Sequence, residues 1–419
     1  MKQNRVVTKG RFHILRIGSM AFAILVVTVM LLLLVILGYM WLYQAPAHFD
    51  TGTALGIAYS PLQRLVPGGG LPERVEVQNA NNNLDVTFHG GRYFVAFRTA
   101  PSHFASREVR IYVLSSADRV SWDYETEFHL GSDPREPRFL VHENRLLLYF
   151  LQNGEAMLKF EPRQSYACEY AGRGRWTFPR PVYKPGYVMW RFRSRGGIAY
   201  AGVYNGRRLY DAGRQPGEVR LLTSRDGYAW SPVSQEPQVT QAGAIEPEFE
   251  FDEEGNLVAV VRLELTGGSL FCTASKEDLS RWQAAYSPHK YDSSMMFRRG
   301  SEFFVIARRN VAGVYDHAPS WLPEKARTAV NAVFYSLTRK RTCLYRADLE
   351  HTCLVPLFDF PSRGDTAFAG IAPVVEDQNA YWVLNYSSPI NGVDLPWLAG
   401  QLLPTCLYDT LLKFPGKAE

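Results

Sequence analysis

Val86-Thr87-Phe88-His89-Gly90-Gly91-Arg92-Tyr93-Phe94-Val95-Ala96-Phe97-Arg98 reads as two strands, rich in β-branched and aromatic residues, joined by a glycine turn. The same plan recurs in Arg138-Phe139-Leu140-Val141-His142-Glu143-Asn144-Arg145-Leu146-Leu147-Leu148-Tyr149-Phe150. It returns from Phe249 through Gly255-Asn256 to Arg262, from Met295 through Gly300 to Arg308, and from Gly370 to Tyr386; a weaker copy spans residues 190–204. Units begin near Asp85, Asp133, Val188, Ile245, Asp292 and Asp365, at spacings of 48, 55, 57, 47 and 73 residues. Several continue into a second strand pair, so each unit reads as a four-stranded blade. No long amphipathic helical pattern interrupts them. Six such units predict an all-β fold, a six-bladed β-propeller, whose radial closure leaves only short sheet edges. A two-domain sandwich is the competing reading.

Outward from the repeats, the chain has 419 residues with 46 Lys+Arg against 41 Asp+Glu, a net charge of +5. Lys2, Arg5, Lys9, Arg11 and Arg16 carry that excess, and without them 41 bases face 41 acids. A broad basic surface that would neutralise phosphates is therefore excluded, and no nucleic-acid partner is expected. Residues 17–43 hold no charge and include Met30-Leu31-Leu32-Leu33-Leu34-Val35-Ile36-Leu37. About 20 apolar residues in helix cross a bilayer, and Tyr39, Trp41 and Tyr43 sit at the far end, where amphipathic rings favour the interface. All the flanking cations precede this segment, so the positive-inside rule places the amino terminus in the cytoplasm and the remainder outside. A cleaved signal peptide, with Ala45-Pro46-Ala47 as its processing site, is the alternative. Against it, the apolar run exceeds the roughly 7–15 residues of a signal core.

The expected organisation is a cytoplasmic basic tail at 1–16, a single amino-terminal transmembrane helix at 17–43 and a stalk at 44–84 rich in Pro, Gly and Asn. The propeller follows at 85–414, with a short tail at 415–419. The five cysteines are scattered: Cys343 and Cys353 are near enough in sequence to bridge, and buried free thiols are the other reading. No His-x-x-x-His spacing, phosphate-binding glycine loop, serine elbow or dinucleotide fingerprint is present, so neither a metal nor a cofactor is expected.

Three units carry a related turn: Ser224-Arg225-Asp226-Gly227-Tyr228-Ala229-Trp230, Ser116-Ala117-Asp118-Arg119-Val120-Ser121-Trp122, and a looser Ser275-Lys276-Glu277-Asp278-Leu279-Ser280-Arg281-Trp282. In such a turn the Asp accepts backbone N–H groups and the Trp packs between sheets. These residues resemble the Asp-box repeats of sialidase-type propellers. The likeness extends to Glu246-Pro247-Glu248-Phe249 with Arg262, to Asp133-Pro134-Arg135-Glu136-Pro137-Arg138, and to Gly364-Asp365-Thr366-Ala367-Phe368-Ala369-Gly370-Ile371 with Asn385-Tyr386-Ser387-Ser388. It covers about residues 85–390. The chain is identified on these motifs as a divergent member of that superfamily.

The resemblance implies an arginine triad gripping a substrate carboxylate, an Asp as acid/base, and a Tyr nucleophile activated by a Glu. Carried onto this chain, Arg98, Arg262 and Arg308 are the triad candidates, with Arg309 as the alternative to Arg308. Glu246 or Glu248 is the base, and Asp133 and Asp365 are candidate acids. His103 follows an inner strand and is a candidate at the pocket mouth. The chain departs from the pattern where the last blade would place its Tyr: Phe368 stands there, and Tyr386 lies on the return strand. The Arg-Ile-Pro start of the first sialidase blade is also missing. Carboxylates at Asp85, Asp133, Glu136, Glu246, Glu248, Asp292 and Asp365 fall at similar places in successive units and permit ordinary two-carboxylate chemistry instead. The expected function is a membrane-anchored, extracytoplasmic glycoside hydrolase acting on glycans. A non-catalytic glycan-binding or scaffold propeller of an envelope complex is the alternative.

Overall fold

The computed structural model describes residues 4–49, 55–157, 159–207 and 216–416. Two compact units divide the chain, Met1–Tyr43 and Gln44–Glu419. The first is helix α1, Asn4–Leu42, in which Phe22–Leu42 has a mean hydropathy of 2.9. That stretch is long and apolar enough to cross a bilayer, and an anchor and a signal sequence meet this requirement alike. The cationic flank expected at 1–16 lies outside the described side chains.

The second unit is a six-bladed β-propeller. Its blades are antiparallel meanders opened by the strands Ala80–His89, Asp133–His142, Tyr187–Arg195, Ala244–Phe251, Asp292–Arg299 and Thr366–Val374. These first strands neighbour one another in a closed ring and line the axis. Apolar faces of adjacent blades pack on each other through aromatic layers. Tyr149 of blade two stacks on Phe192 of blade three at 3.9 Å, and Trp122 of blade one on Trp382 of blade six at 5.9 Å.

The sixth blade is completed from the opposite end of the chain. Its strand Cys406–Lys413 pairs with Ala58–Tyr59 and Gln63–Val66, residues expected within the stalk. The pairing covers an otherwise open sheet edge and buries Val66 fully. Two such short strands give no periodic signal among prolines and glycines. The sequence also hides helix α2, Glu324–Leu337, which interrupts blade five between Glu302–Asn310 and Lys340–Asp348. Only Asn331, Phe334 and Tyr335 of α2 are buried, too few for a visible apolar stripe. This insertion accounts for the long 73-residue spacing. A short α3, Trp397–Gly400, lies in the corresponding loop of blade six. All five cysteines are free thiols. In their shared ladder Cys343 faces Asp359 and Cys353 faces Asp348, about five residues further along, which is beyond disulfide reach.

Candidate functional site

Every first strand breaks its ladder with a bulge near its start. The shifts fall between Asn82 and Leu84, Arg135 and Arg138, Met189 and Arg191, Ile245 and Glu248, Asp292 and Met295, and Ala367 and Gly370. In five of the six, a bulged residue has positive φ: Asn83 41°, Glu136 56°, Glu246 51°, Ser293 52° and Phe368 72°. A bulge takes a side chain out of the sheet's alternation, and non-glycine residues hold such φ only where the surroundings compensate. These five side chains line one axial pocket of about 270 Å³. Arg262, Arg308 and Tyr386 from the second strands, and His103 and Trp397 from loops, complete its wall.

Of the expected site residues, Glu246, Arg262, Arg308 and His103 share this pocket. Asp365 stands behind His103, with Oδ2 2.7 Å from Nδ1; Tyr386 Oη and Trp397 Nε1 donate to Oδ1 at 3.2 and 3.1 Å. A carboxylate only accepts, so the shared proton lies on the Nδ1 side. Burial alone would raise the Asp365 carboxyl, but the neighbouring His103 and Arg308 outweigh it and lower the value.

Arg98, Asp133 and Glu248 do not line the pocket. Arg98 is fully buried and donates to Asp133 Oδ1 at 2.9 Å, Asn82 Oδ1 at 3.1 Å and Phe104 O at 2.9 Å. It ties the His103 loop to the sheet, and the expected three-arginine grip is not assembled from it. Glu248 sits in a separate buried layer, bound by Arg191 at 2.5 Å and Arg193 at 3.0 Å. In an unbroken strand Glu246 and Glu248 would share a face. The bulge between them sends only Glu246 into the pocket.

The pocket guanidiniums all have buried counter-charges. Arg262 meets Glu246 at 2.7 Å, Asp292 at 3.1 Å and also Glu264. Arg135 pairs with Asp133, and Arg308 donates to Thr366 O at 2.8 Å and Tyr386 Oη at 3.2 Å. Burial works against the Asp292 charge, yet Arg262, Lys290 and Arg308 bring its carboxyl down to about 2. Glu136 moves the other way. Burial raises its carboxyl, with help from Glu246 and against the pull of Arg138 and Arg135. Its Oε2, like Asn83 Oδ1, is buried without a hydrogen-bond partner. Glu246 differs: Oε1 accepts from Arg262, and Oε2 accepts the Ser293 N–H at 2.9 Å.

Phe368, where the resemblance would put a nucleophilic phenol, packs edge-on to Trp190 at 5.3 Å and over the Arg138 guanidinium at 4.2 Å. Tyr386 does reach the pocket wall, where its Oη donates to Asp365 Oδ1 at 3.2 Å and burial raises its phenol well above the ordinary value. Sequence reasoning listed Glu136 only among acids at blade starts and did not select Asn83, Arg135 or Ser293. Their shared feature is the bulge register, which the sequence does not display. Among the described residues no group of three or more His, Cys, Asp or Glu is placed to hold a metal.

Neither a protein-family model nor a curated protein sequence matches the chain. Solved structures do. A Dyadobacter fermentans protein of unknown function aligns with a TM-score of 0.56 at 14% identity, over 84% of this chain and 99% of that one. Trypanosoma rangeli sialidase aligns with a TM-score of 0.54 at 12% identity, over 80% of this chain and 55% of that one. The same sialidase in complex with sialic acid gives 0.51 at 12% identity, over 81% and 55%. This chain thus spans about half the length of that sialidase, and at such identities the likeness concerns the fold. With six blades closed around a bulge-lined axial pocket, the chain has a sialidase-like β-propeller fold.

Proposed function

We propose that the axial pocket is a glycan site of a membrane-anchored, extracytoplasmic glycoside hydrolase, with Glu136 as the proton donor and Glu246 as the partner carboxylate. One observation carries this reading: the bulges of blades two and four present two carboxyl groups to one pocket in unlike surroundings. Glu136 is buried, raised and unpartnered at Oε2, while Glu246 is bound by a guanidinium and a backbone N–H. Pairs separated in this way divide into acid and base. The sugar is uncharged, since Arg135, Arg262 and Arg308 already face buried acids or hydrogen-bond acceptors. Buried Asn83 Oδ1 and Glu136 Oε2 suit the hydroxyls of such a ligand. Turns closed by Asp226 and Asp118, each accepting two backbone N–H groups at 2.8 Å, support an Asp-box assignment away from the pocket.

The test is hydrolysis of an aryl-glycoside and polysaccharide panel by the wild type and Glu136→Gln. Loss of general acid catalysis should cut turnover by roughly 10²–10⁴-fold, with an unchanged melting temperature. Phe368 supports a second reading, a binding propeller without turnover. Glycan-array binding by a wild type that releases no sugar from the panel would select it over the enzyme.

A further inference from the structure

The pocket-mouth end of the propeller differs from the far end in what it shows to solvent. Because each blade is an antiparallel meander, the segments joining second to third strands lie at the mouth. Two are long: residues 311–339 in blade five, with α2, and 388–405 in blade six, with α3. They pack together, Trp397 N–H donating to Thr338 O at 3.1 Å and the Tyr335 and Trp397 rings lying 5.6 Å apart. Between them they expose Trp321 at 79%, Val393 at 65%, Leu402 at 55% and Val333 at 51%. At the far end, the exposed Val120, Phe178, Leu349 and Val375 stand singly on turns of four different blades. Scattered apolar residues need no explanation; four exposed ones carried by two touching insertions do.

The propeller's first residues are held at the same place. Ala45 N–H donates to Val311 O at 3.0 Å, at the root of the blade-five insertion. Phe49 lies under the Arg309 guanidinium at 5.2 Å. The chain therefore joins the propeller at its mouth end. From Leu42, the last residue of α1, to Ala45 is three residues, at most about 11 Å of extended chain.

We propose that the mouth end rests on a lipid bilayer through the apolar side chains of these two insertions, and that the glycan taken by the axial pocket is carried on lipid. This rests on the glycan reading of the pocket and on α1 as an anchor. Trp321 suits the interfacial zone, Val333, Val393 and Leu402 gain by leaving water, and a tether this short keeps the mouth at the headgroups.

The full chain is reconstituted in phosphatidylcholine vesicles, with and without acyl-brominated phosphatidylcholine. Tryptophan emission is compared for wild type, Trp321→Phe, Leu402→Trp and Val120→Trp. The emission owed to Trp321 and that added by Leu402→Trp are expected to be lost in brominated vesicles, while that added by Val120→Trp persists. Trp41 contributes equally throughout and cancels. Equal behaviour of Leu402→Trp and Val120→Trp overturns the proposal and leaves the rim to a protein partner or a second copy. In the second arm, neutral mono-, di- and trihexosyl diacylglycerols in the same vesicles compete with the matching free oligosaccharides. The double variant Trp321→Ser, Val333→Asp should weaken capture of the lipid-linked forms by roughly tenfold and leave the free forms unchanged. Selective quenching with neither form captured overturns the pocket's glycan reading, and the lipid-borne ligand with it, while keeping the membrane contact. Capture of free glycan without selective quenching overturns the membrane-facing mouth and keeps the pocket reading.

Discussion

At Glu136 burial opposes charge and outweighs the pull of Arg138, Arg135 and the Asn83 side chain. The folded value lies above the unfolded one, so the neutral acid persists into higher pH than an exposed Glu would allow. Both consequences share a sign. The proton needed for leaving-group departure is present at low pH and lost as pH rises through the raised value, and the group's contribution to stability fades over the same window. We therefore expect kcat/KM to carry an alkaline limb governed by Glu136, and Glu136→Gln to leave a low residual rate without that limb. A variant that keeps the same limb would remove Glu136 as the donor. At this scale the sequence was partly legible. Glu246, Arg262 and Arg308, implied by the resemblance, and His103, which follows an inner strand, all reach the pocket. Arg98 was the remaining candidate for the implied triad, yet complete burial against Asp133 makes it a brace for a loop.

At the scale of elements, the turn at residues 224–230 shows how a short motif reads correctly from composition. Asp226 Oδ1 accepts the Tyr228 and Ala229 N–H groups at 2.8 Å, and Trp230 Nε1 donates to Gly227 O at 3.0 Å. Gly227 has φ 77°, and a Cβ there would come within 2.9 Å of Leu147 and Tyr149 on the neighbouring blade. Gly227→Ala should therefore cost about 1–3 kcal/mol, from a strained φ together with an interblade clash. Chemical denaturation measures it, and an unchanged midpoint would show that the turn relaxes freely. The bulges are the opposite case. A one-residue slip exchanges the faces of a strand, and a sequence with acids at both Glu246 and Glu248 does not say which one is turned inward. That choice follows from ladder pairing with the second strand.

The whole molecule is held closed by strands from both ends of the propeller. Gln63–Val66 and Ala58–Tyr59 complete the sixth blade, with Val66 fully buried and Thr410 Oγ1 within 3.1 Å of Ser60 Oγ. A chain beginning at Gly68 should lose at least about 2 kcal/mol from Val66 alone, expose an unpaired edge and unfold at a lower temperature than the full protein. Equal melting temperatures in the same detergent would show that the ring does not depend on this closure.

The sequence by itself determined that the chain is all-β, that its units number six, where five of the six blades begin to within a few residues, and that one apolar helix precedes them. Those features are written in local periodicity and turn chemistry, which depend on neighbours along the chain. Tertiary structure decided which side chains meet. The axial pocket is built from residues more than 200 positions apart, and membership turns on bulge register and on how the first strands close into a ring. Both are set by pairing between strands, within a blade and from blade to blade, and such contacts leave no periodic trace in any one stretch of sequence.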